Sequence, residues 1–417
     1  MPESFPLGRE LPPAATAAVA IVRRLVAAGH QALLAGGCVR DLLLGQTPED
    51  YDVATDAPPE RVSELFRPTR QVGAQFGVVL VRKRGRWIEV ATFRADGPYL
   101  DGRRPVHITL SDAEHDARRR DFTVNGMFLD PLARQVIDYV GGRADLEARV
   151  IRAIGDPAAR FEEDYLRLLR AVRFSARLDF PIEPHTLAAI RTHAPKLARV
   201  APERVREELE RMFVAPSRPA AWRLLVECGL SPYLWPQARW DADQIDRIST
   251  LLGRLPPTAP FELVLAVLLA DRTPAELERI ARDLTLSNEQ RERTAWLVRH
   301  QGDLDDPAAV SRAALKRLMA HPAFDALRLL ATARYADFAD GAARHATLTE
   351  RVLSIPPDAV QPPPLITGDD LLARAVPAGP VYREILDALY TRQLDEQVRT
   401  RQEALALLEG MLKERGL

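Results

Sequence analysis

Gly36-Gly37-Cys38-Val39-Arg40-Asp41, followed by Asp50-Tyr51-Asp52, is the stretch on which the reading of this chain turns. Residues i and i+2 of an extended strand project to the same side, so Asp50 and Asp52 point together. Two carboxylates held that close repel unless a cation sits between them, and Mg²⁺ is a hard ion that prefers such oxygen ligands. The glycines let backbone approach a phosphate with no Cβ in the way. Asp-x-Asp alone would also suit a solvated strand edge. Behind Gly-Gly-x-x-Arg-Asp it reads as part of a holder for a nucleoside triphosphate and its metal ions.

The bulk numbers limit the alternatives. A chain of 417 residues, 47% hydrophobic and 28% charged, has the composition of a globular protein with two or more domains. No apolar run approaches the ~20 residues of a membrane span, and the opening MPESFPLGRELPP lacks the basic-then-apolar pattern of a secretion signal. Cys38 and Cys228 give neither a disulfide framework nor a zinc spacing. A cytoplasmic protein with no membrane partner is expected. The net charge of −1 advertises no nucleic-acid binding, but local charge does. Arg82-Lys83-Arg84 with Arg86, then Arg103-Arg104, then Arg118-Arg119-Arg120 form basic clusters early in the chain. Arginine abundance has a bland source in codon usage, so position is what matters.

Residues 14–29 read as a helix with an alanine-rich inner face, QALLAGG as a strand entering a glycine turn, and VRDLLLG as a helix closed by Gly45. YDVATD is a second strand, and Pro58-Pro59 opens the helix ERVSELF. GVVLVRK and RWIEVATF, joined at Gly85, form a hairpin, and VIDYVGG is the last strand. From Ala158 onward helical periodicity dominates, punctuated by prolines at 256–257, 356–357 and 362–364. The fold class is therefore α+β: a small mixed α/β head followed by an all-helical remainder.

Glu89 stands among apolar residues in Trp87-Ile88-Glu89-Val90, where burial costs free energy unless the carboxylate is paired or metal-bound. It is the candidate third carboxylate beside Asp50 and Asp52, the set a two-metal transfer reaction needs. Residues 94–118 read as a long functional loop, ending at Arg119-Arg120-Asp121-Phe122-Thr123-Val124-Asn125. Arg120 there suits a triphosphate and Asp121 a ribose hydroxyl.

A helix from Ala159 to about Leu178 sets Phe161, Tyr165, Leu168, Leu169, Val172 and Ala176 on one face. Glu163, Arg167, Arg170, Arg173 and Arg177 fall on the other, with Asp164 at the border. Both acids are spaced to tie to Arg167. The later arginines have no acidic partners within the helix, which suits a face turned to anions. A locked Asp164–Arg167 edge would accept the exocyclic amine of cytosine or adenine and donate to the ring nitrogen. Guanine and uracil would leave Asp164 facing a carbonyl, at ~1–3 kcal/mol per unpaired group.

Taken in order, Gly36-Gly37-x-x-Arg40-Asp41, Asp50-x-Asp52, Arg119-Arg120-Asp121-Phe122-Thr123-x-Asn125, Glu163-Asp164-x-x-Arg167-x-x-Arg170-x-x-Arg173-Phe174 and Glu203-Arg204-x-x-x-Glu208-Leu209 resemble the motifs of the bacterial class II tRNA nucleotidyltransferase and poly(A) polymerase family. The resemblance covers residues 31–213. It implies a catalytic nucleotidyltransferase head over 1–150, a base-reading neck over 151–215 and a helical, tRNA-binding body and tail over 216–417. It implies CTP and ATP as substrates, Mg²⁺ on Asp50 and Asp52, tRNA bound at its 3′ end, acceptor stem and elbow, and no DNA partner. Gly36, Gly37, Arg40, Arg120, Asp121 and Asn125 would hold triphosphate and sugar. Glu163, Asp164 and Arg167 would read the base, with Arg170 and Arg173 assisting the phosphates. In that family the loop corresponding to 94–118, here retaining DGPYLDGRRP, helps switch the pocket from C to A addition. Val72-Gly73-Ala74-Gln75-Phe76-Gly77-Val78-Val79 looks like the tRNA-enzyme pattern. Poly(A) polymerase activity and an inactive RNA-binding relative are the alternatives, and addition of all of CCA, of CC only or of A only stays open. Gly126 stands where alanine is usual, a departure expected to change little. The lone His300, His321 and His345 form no phosphohydrolase pair.

Overall fold

The computed structural model describes residues 12–71, 77–97, 108–214, 216–376 and 379–415. The chain divides into two compact units, with the boundary between Arg239 and Trp240. No helix among the described residues is long and apolar enough to cross a membrane.

The first unit is built on a seven-stranded mixed sheet in the order β3-β4-β5-β2-β1-β8-β9. Its strands are β1 (Ala32–Ala35), β2 (Asp52–Thr55), β3 (Thr69–Gln71), β4 (Val78–Lys83), β5 (Arg86–Thr92), β8 (Phe128–Asp130) and β9 (Gln135–Ile137). β2 and β5 run parallel and the other neighbours antiparallel. All four residues of β1 are buried, which is why ALLA is uniformly apolar rather than alternating. The helix α1 (Pro13–Ala27) packs on β1, β2, β4 and β5, burying Ala17, Ala18, Ile21, Val22 and Leu25 at helical spacing. β4 and β5 are joined by Arg84-Gly85, both at positive φ (51° and 79°), the backbone hand that a two-residue hairpin requires.

Residues 94–118 depart from the expected loop. β6 (Arg94–Asp96) pairs with β7 (Ile108–Leu110), and α4 (Ala113–Arg118) follows, N-capped by Asp112. Elements of three to six residues are too short for periodicity to register. Most of the DGPYLDGRRP tract, and Val72–Phe76, lie outside the described residues. Gly126 carries more than expected. A Cβ there would sit 2.6 Å from Val140 Cγ2 and 3.1 Å from Ile154 Cδ1, so these larger neighbours occupy the space an alanine methyl would need.

The expected continuous helix from Ala159 to Leu178 is two helices, α6 (Pro157–Glu163) and α7 (Leu166–Leu178), after α5 (Gly142–Glu147). Asp164 breaks it in an extended conformation (φ −153°, ψ 106°), and its Oδ1 accepts the amide of Leu166 at 3.1 Å, restarting the helix. The predicted inner face holds: Phe161, Tyr165, Leu168, Leu169, Val172 and Ala176 are all buried. α8 (Pro184–His193), α9 (Pro202–Met212) and α10 (Arg218–Glu227) complete this layer, α9 and α10 both packing on α7. α10 packs with α7, and the division between compact units falls after Arg239.

The second unit is helical throughout its described residues, from Ala242–Arg254 to Arg401–Arg415. One of its cores gathers Ile366, Leu371, Ile385, Leu389, Leu408 and Leu412. Lys316, buried to 2% exposure, donates to Glu396 at 3.1 Å, and Arg312 shares that carboxylate. An ion-paired carboxylate is what makes a buried ammonium tolerable.

Candidate functional site

The motifs converge on one cleft of about 580 Å³ in the first unit. Its floor is formed by the end of β1 at Ala35, the start of β2 at Asp52, Val53 and Ala54, and Glu89, Ala91 and Thr92 of β5. Pairing sets Ala35 opposite Asp52 in β1–β2, and the parallel register Val53↔Val90 carries Asp52 alongside Glu89. Asp50 lies just before β2, so its carboxylate comes from the loop rather than from a strand face shared with Asp52. Glu89 is exposed, contrary to the expectation that its apolar sequence neighbours bury it. On a strand those neighbours, Ile88 and Val90, point to the opposite face and it is they that are buried.

The three carboxylates act on one another electrically. Enclosure by the cleft walls pushes Asp52 up to about 6, and the charges of Glu89 and Asp50 add to the rise against the opposing pull of Arg120. Asp52 is nonetheless open to solvent from the cleft side. Glu89 is raised for the same reasons, enclosure first and Asp50 next. Among the described residues no three His, Cys, Asp or Glu side chains converge closely enough to chelate an ion unaided.

Above the carboxylates, Gly36 ends β1 at φ +71°, ψ −130°, and α2 (Gly37–Leu43) starts at once. A Cβ on Gly36 would lie 2.8 Å from Arg120 Nη1. Arg40, 2% exposed, directs Nε and Nη2 at the one oxygen Asp41 Oδ1 and donates through Nη1 to Asn125 Oδ1 at 2.6 Å. Asn125 Nδ2 donates to Asp121 Oδ1 at 3.3 Å, and Asp121 Oδ2 accepts Arg170 Nε and Nη2 at 2.7 and 2.6 Å. A continuous hydrogen-bonded chain therefore runs from Asp41 in α2 to Arg170 in α7. Burial works to raise Asp121, but the Arg170 guanidinium outweighs it and holds the carboxyl at about 2. With Phe122 N also on Oδ1, Asp121 is engaged by protein rather than reserved for a sugar hydroxyl.

The arginines of α7 correct the expectation that they lack acidic partners. Arg167 pairs with Glu163, Arg170 with Asp121 and Arg173 with buried Glu208, while Arg177 lies 3.8 Å from Asp41. Asp121, Glu208 and Asp41 come from other elements, which a scan along one helix cannot see. The Asp164–Arg167 edge is also locked differently than predicted. Arg167 is held by Glu163, Arg160 O and Arg119 O, whereas Asp164 is gripped by Arg204 of α9 through Nη1 (3.1 Å) and Nη2 (2.7 Å). Of Arg167's five N–H groups, those bonds leave two for a ligand.

Asp164, Arg167, Arg170, Arg120, Asp121, Asn125, Arg40, Gly36, Gly37, Asp50, Asp52 and Glu89 all line the cleft; Glu163 and Arg173 stand behind it. Sequence reasoning missed four residues. Arg204 fixes Asp164, although it is present in the Glu203-Arg204 motif. Asp116, 1% exposed, takes Arg119 on Oδ1 and Arg120 on Oδ2, so one buried carboxylate aims both guanidinia. Its spacing of three and four residues before them is the signal. Arg177 reaches the cleft, and so does Phe174, whose ring receives Arg40, Arg170 and Arg173 at 5.4, 5.3 and 4.2 Å.

This geometry has counterparts. The family model of the poly A polymerase head domain matches residues 32–152, and that of the probable RNA and SrmB-binding site of polymerase A matches residues 179–240. The CCA-adding enzyme of Geobacillus thermodenitrificans is 44% identical over 218 residues, 52% of this chain and 54% of that protein. The chain thus spans about half the length of the first curated relatives it matches. The CCA-adding enzyme of Enterococcus faecalis is 35% identical over 283 residues, 68% of this chain and 69% of its own length. The crystal structure of the Bacillus stearothermophilus CCA-adding enzyme in complex with CTP superposes with a TM-score of 0.81 at 30% identity, covering 98% of this chain and 99% of that one.

Proposed function

The chain belongs to the family of the CCA-adding enzymes, and from that premise and the cleft we propose that it is a tRNA nucleotidyltransferase, extending the 3′ end of tRNA with C and A residues, all or part of CCA, from CTP and ATP. The tRNA 3′ oxygen bonds to the α-phosphorus, the bond to the β-phosphate breaks, and pyrophosphate leaves. The observation that carries this reading is the conjunction in one cleft of three mutually repelling carboxylates, a wall of guanidinia, and a fixed carboxylate and guanidinium at Asp164 and Arg167.

The donor set fits Mg²⁺: Asp50 and Asp52 are hard oxygen ligands, enclosure first and then the charges of Glu89 and Asp50 raise Asp52, and a divalent ion would relieve that repulsion. When bound, such ions would neutralise triphosphate charge and acidify the attacking hydroxyl. Arg120 and Arg170 offer cationic groups to the phosphates, while Gly36 and Gly37 let the backbone come close. Arg40 and Asn125 brace that wall. Asp164 and Arg167 serve as the template. Asp164 keeps acceptor capacity for an exocyclic amine, and Arg167 keeps free N–H groups for a ring nitrogen, a combination offered by cytosine and adenine and refused by uracil and guanine. Residues 1–150 act as the catalytic head and 151–215 as the base-reading neck. Residues 216–417 bind the acceptor stem and elbow of tRNA through phosphates and shape, in the cytoplasm.

The test is incubation with tRNAs ending before CCA, after its first C and after CC, each with one labelled triphosphate. Addition of C to the first two and A to the third gives full CCA synthesis; addition to a subset gives a CC- or A-adding enzyme. Long A tracts on unrelated RNA would mark a poly(A) polymerase, and incorporation nowhere would sink the proposal.

A further inference from the structure

The second unit holds a cavity of about 380 Å³ that shares no residue with the cleft. It lies where the helix Phe261–Leu268 gives way to the helices Pro274–Asp283 and Asn288–His300. The two later helices are amphipathic, one burying Leu277, Ile280 and Ala281 and the other Thr294, Leu297 and Val298. Each lines the cavity with a small side chain, Ala281 on the first and Ala295 on the second. Leu277, Ile280 and Val298 therefore wall the space without filling it. The rim is braced, because Trp240 Nε1 donates to Leu268 O at 3.1 Å and Gln301 Nε2 to Ala270 O at 2.9 Å. Close-packed interiors leave few voids larger than a water molecule. Ligand pockets, by contrast, run upward of roughly 300 Å³ with apolar walls and a few charged groups.

The charged lining is one-sided. Arg272, Arg291 and Arg299 stand against a single carboxylate, Glu278. Glu278 is taken by Arg291 at 3.2 Å, and the Arg272 guanidinium lies 5.6 Å from the centroid of the Trp240 ring. Arg299 is exposed, and among the described residues no carboxylate comes within salt-bridge distance of it. An apolar hollow under an excess of guanidinium charge complements a guest with an apolar body and one anionic head. A nucleobase suits it poorly. Thr294 supplies the lining's uncharged polar side chain, and its Oγ1 is closed off from solvent, so no side chain offers a base the neutral donor and acceptor it needs.

We propose that this cavity binds an anionic amphiphile, a medium-chain alkyl carboxylate or alkyl phosphate. The chain lies against Leu277, Ile280 and Val298, and the head group is held by Arg299 and Arg272. Carboxylate and phosphate present the same kind of oxygen edge to a guanidinium, so the charge complementarity holds for both.

Calorimetric titration of the full chain with decanoate, kept below its micelle concentration and with no RNA or nucleotide present, tests the site. One saturable site per chain is expected, with the negative heat-capacity change of apolar burial. Decanol, which lacks the charge, should bind about tenfold more weakly or worse, and so should decanoate to Arg299→Glu. Ala295→Trp fills the hollow and should lose binding altogether. Arg299→Glu changes an exposed side chain, so it decides the matter if Ala295→Trp does not fold. Whichever of decanoate and decyl phosphate binds tighter names the head group, and either order supports the site. Saturating CTP should leave decanoate binding unmoved. The proposal is overturned by the absence of a saturable heat, by parental affinity in either folded variant, by decanol matching decanoate, or by displacement with CTP. Transfer of nucleotides plays no part in the titration, so a chain that fails to extend tRNA would still show this binding.

Discussion

Removing the guanidinium of Arg204 should damage the choice of nucleotide more than the transfer itself. Asp164 sits in the extended break between two helices with its carboxylate 17% exposed, held by two charge-assisted bonds from Arg204 and by the amide of Leu166. Without Arg204 the Leu166 amide remains, on Oδ1, and the carboxylate is free to turn. That change removes the fixed acceptor that separates amine-bearing bases from carbonyl-bearing ones. A mismatched buried polar group costs ~1–3 kcal/mol, which at 1.36 kcal/mol per decade is roughly 5- to 150-fold in rate. Arg204→Ala should therefore lower the ratio of kcat/KM for CTP over UTP by a factor in that range, on tRNA ending before CCA. Arg204→Lys, which keeps the charge but not the two-pronged grip, should fall between. The thermal midpoint should drop by only a few degrees, because α9 also packs on α7 through buried Val205, Leu209 and Met212. If Arg204→Ala kept the CTP/UTP ratio within about twofold of the parent while Asp164→Ala abolished it, Arg204 would not be the group that positions Asp164.

Other outcomes follow from the same geometry. Asp52→Asn should reduce incorporation by at least about a thousandfold, the scale of losing a metal-binding carboxylate at a phosphoryl-transfer centre, while CTP binding measured without tRNA persists; full incorporation would contradict the metal assignment. Chelation by EDTA should abolish incorporation and added Mg²⁺ should restore it, whereas activity that survives exhaustive chelation would refute the need for an ion. Gly36→Ala should raise the KM for CTP and lower stability by ~1–3 kcal/mol, since alanine resists the φ +71°, ψ −130° backbone and its methyl meets Arg120; an unchanged melting curve would count against it. The Asp121–Arg170 pair sets a pH dependence. A folded value of about 2 against an ordinary 3.8 stabilises fully at pH above about 5 and is lost as pH falls towards 2, for about 2 kcal/mol in all. The stability gap between parent and Asp121→Asn should accordingly shrink from pH 7 to pH 3; a gap constant over that range would refute the pairing as its source.

Two kinds of information in the chain explain which parts of this site could be read from it. Where spacing along one element decides the outcome, the sequence is explicit: the inner face of α7 and the β4–β5 hairpin with its Arg84-Gly85 turn follow from periodicity and turn chemistry alone. Asp116 belongs to this class too, since its helical spacing to Arg119 and Arg120 is visible once 94–118 is no longer treated as one loop. Where the outcome depends on what a distant segment brings, spacing misleads. In sequence Glu89 is embedded in apolar residues because Ile88 and Val90 adjoin it, yet a strand turns those neighbours to the other side. Along the helix the arginines of α7 read as unpaired because Asp121 and Glu208 lie 49 and 35 residues away along the chain. The helix break at Asp164 has the same origin: propensity favours continuity from Ala159, but an extended Asp164 can cap Leu166 and receive Arg204 from α9 at once. A helical Asp164 would point elsewhere and leave Arg204 without that acceptor. On the proposed reading base choice rests on tertiary pairing across 40 residues of chain rather than on the local acid–arginine pair that the sequence displays, so substitution of Arg204 in α9 should alter nucleotide selection by releasing Asp164.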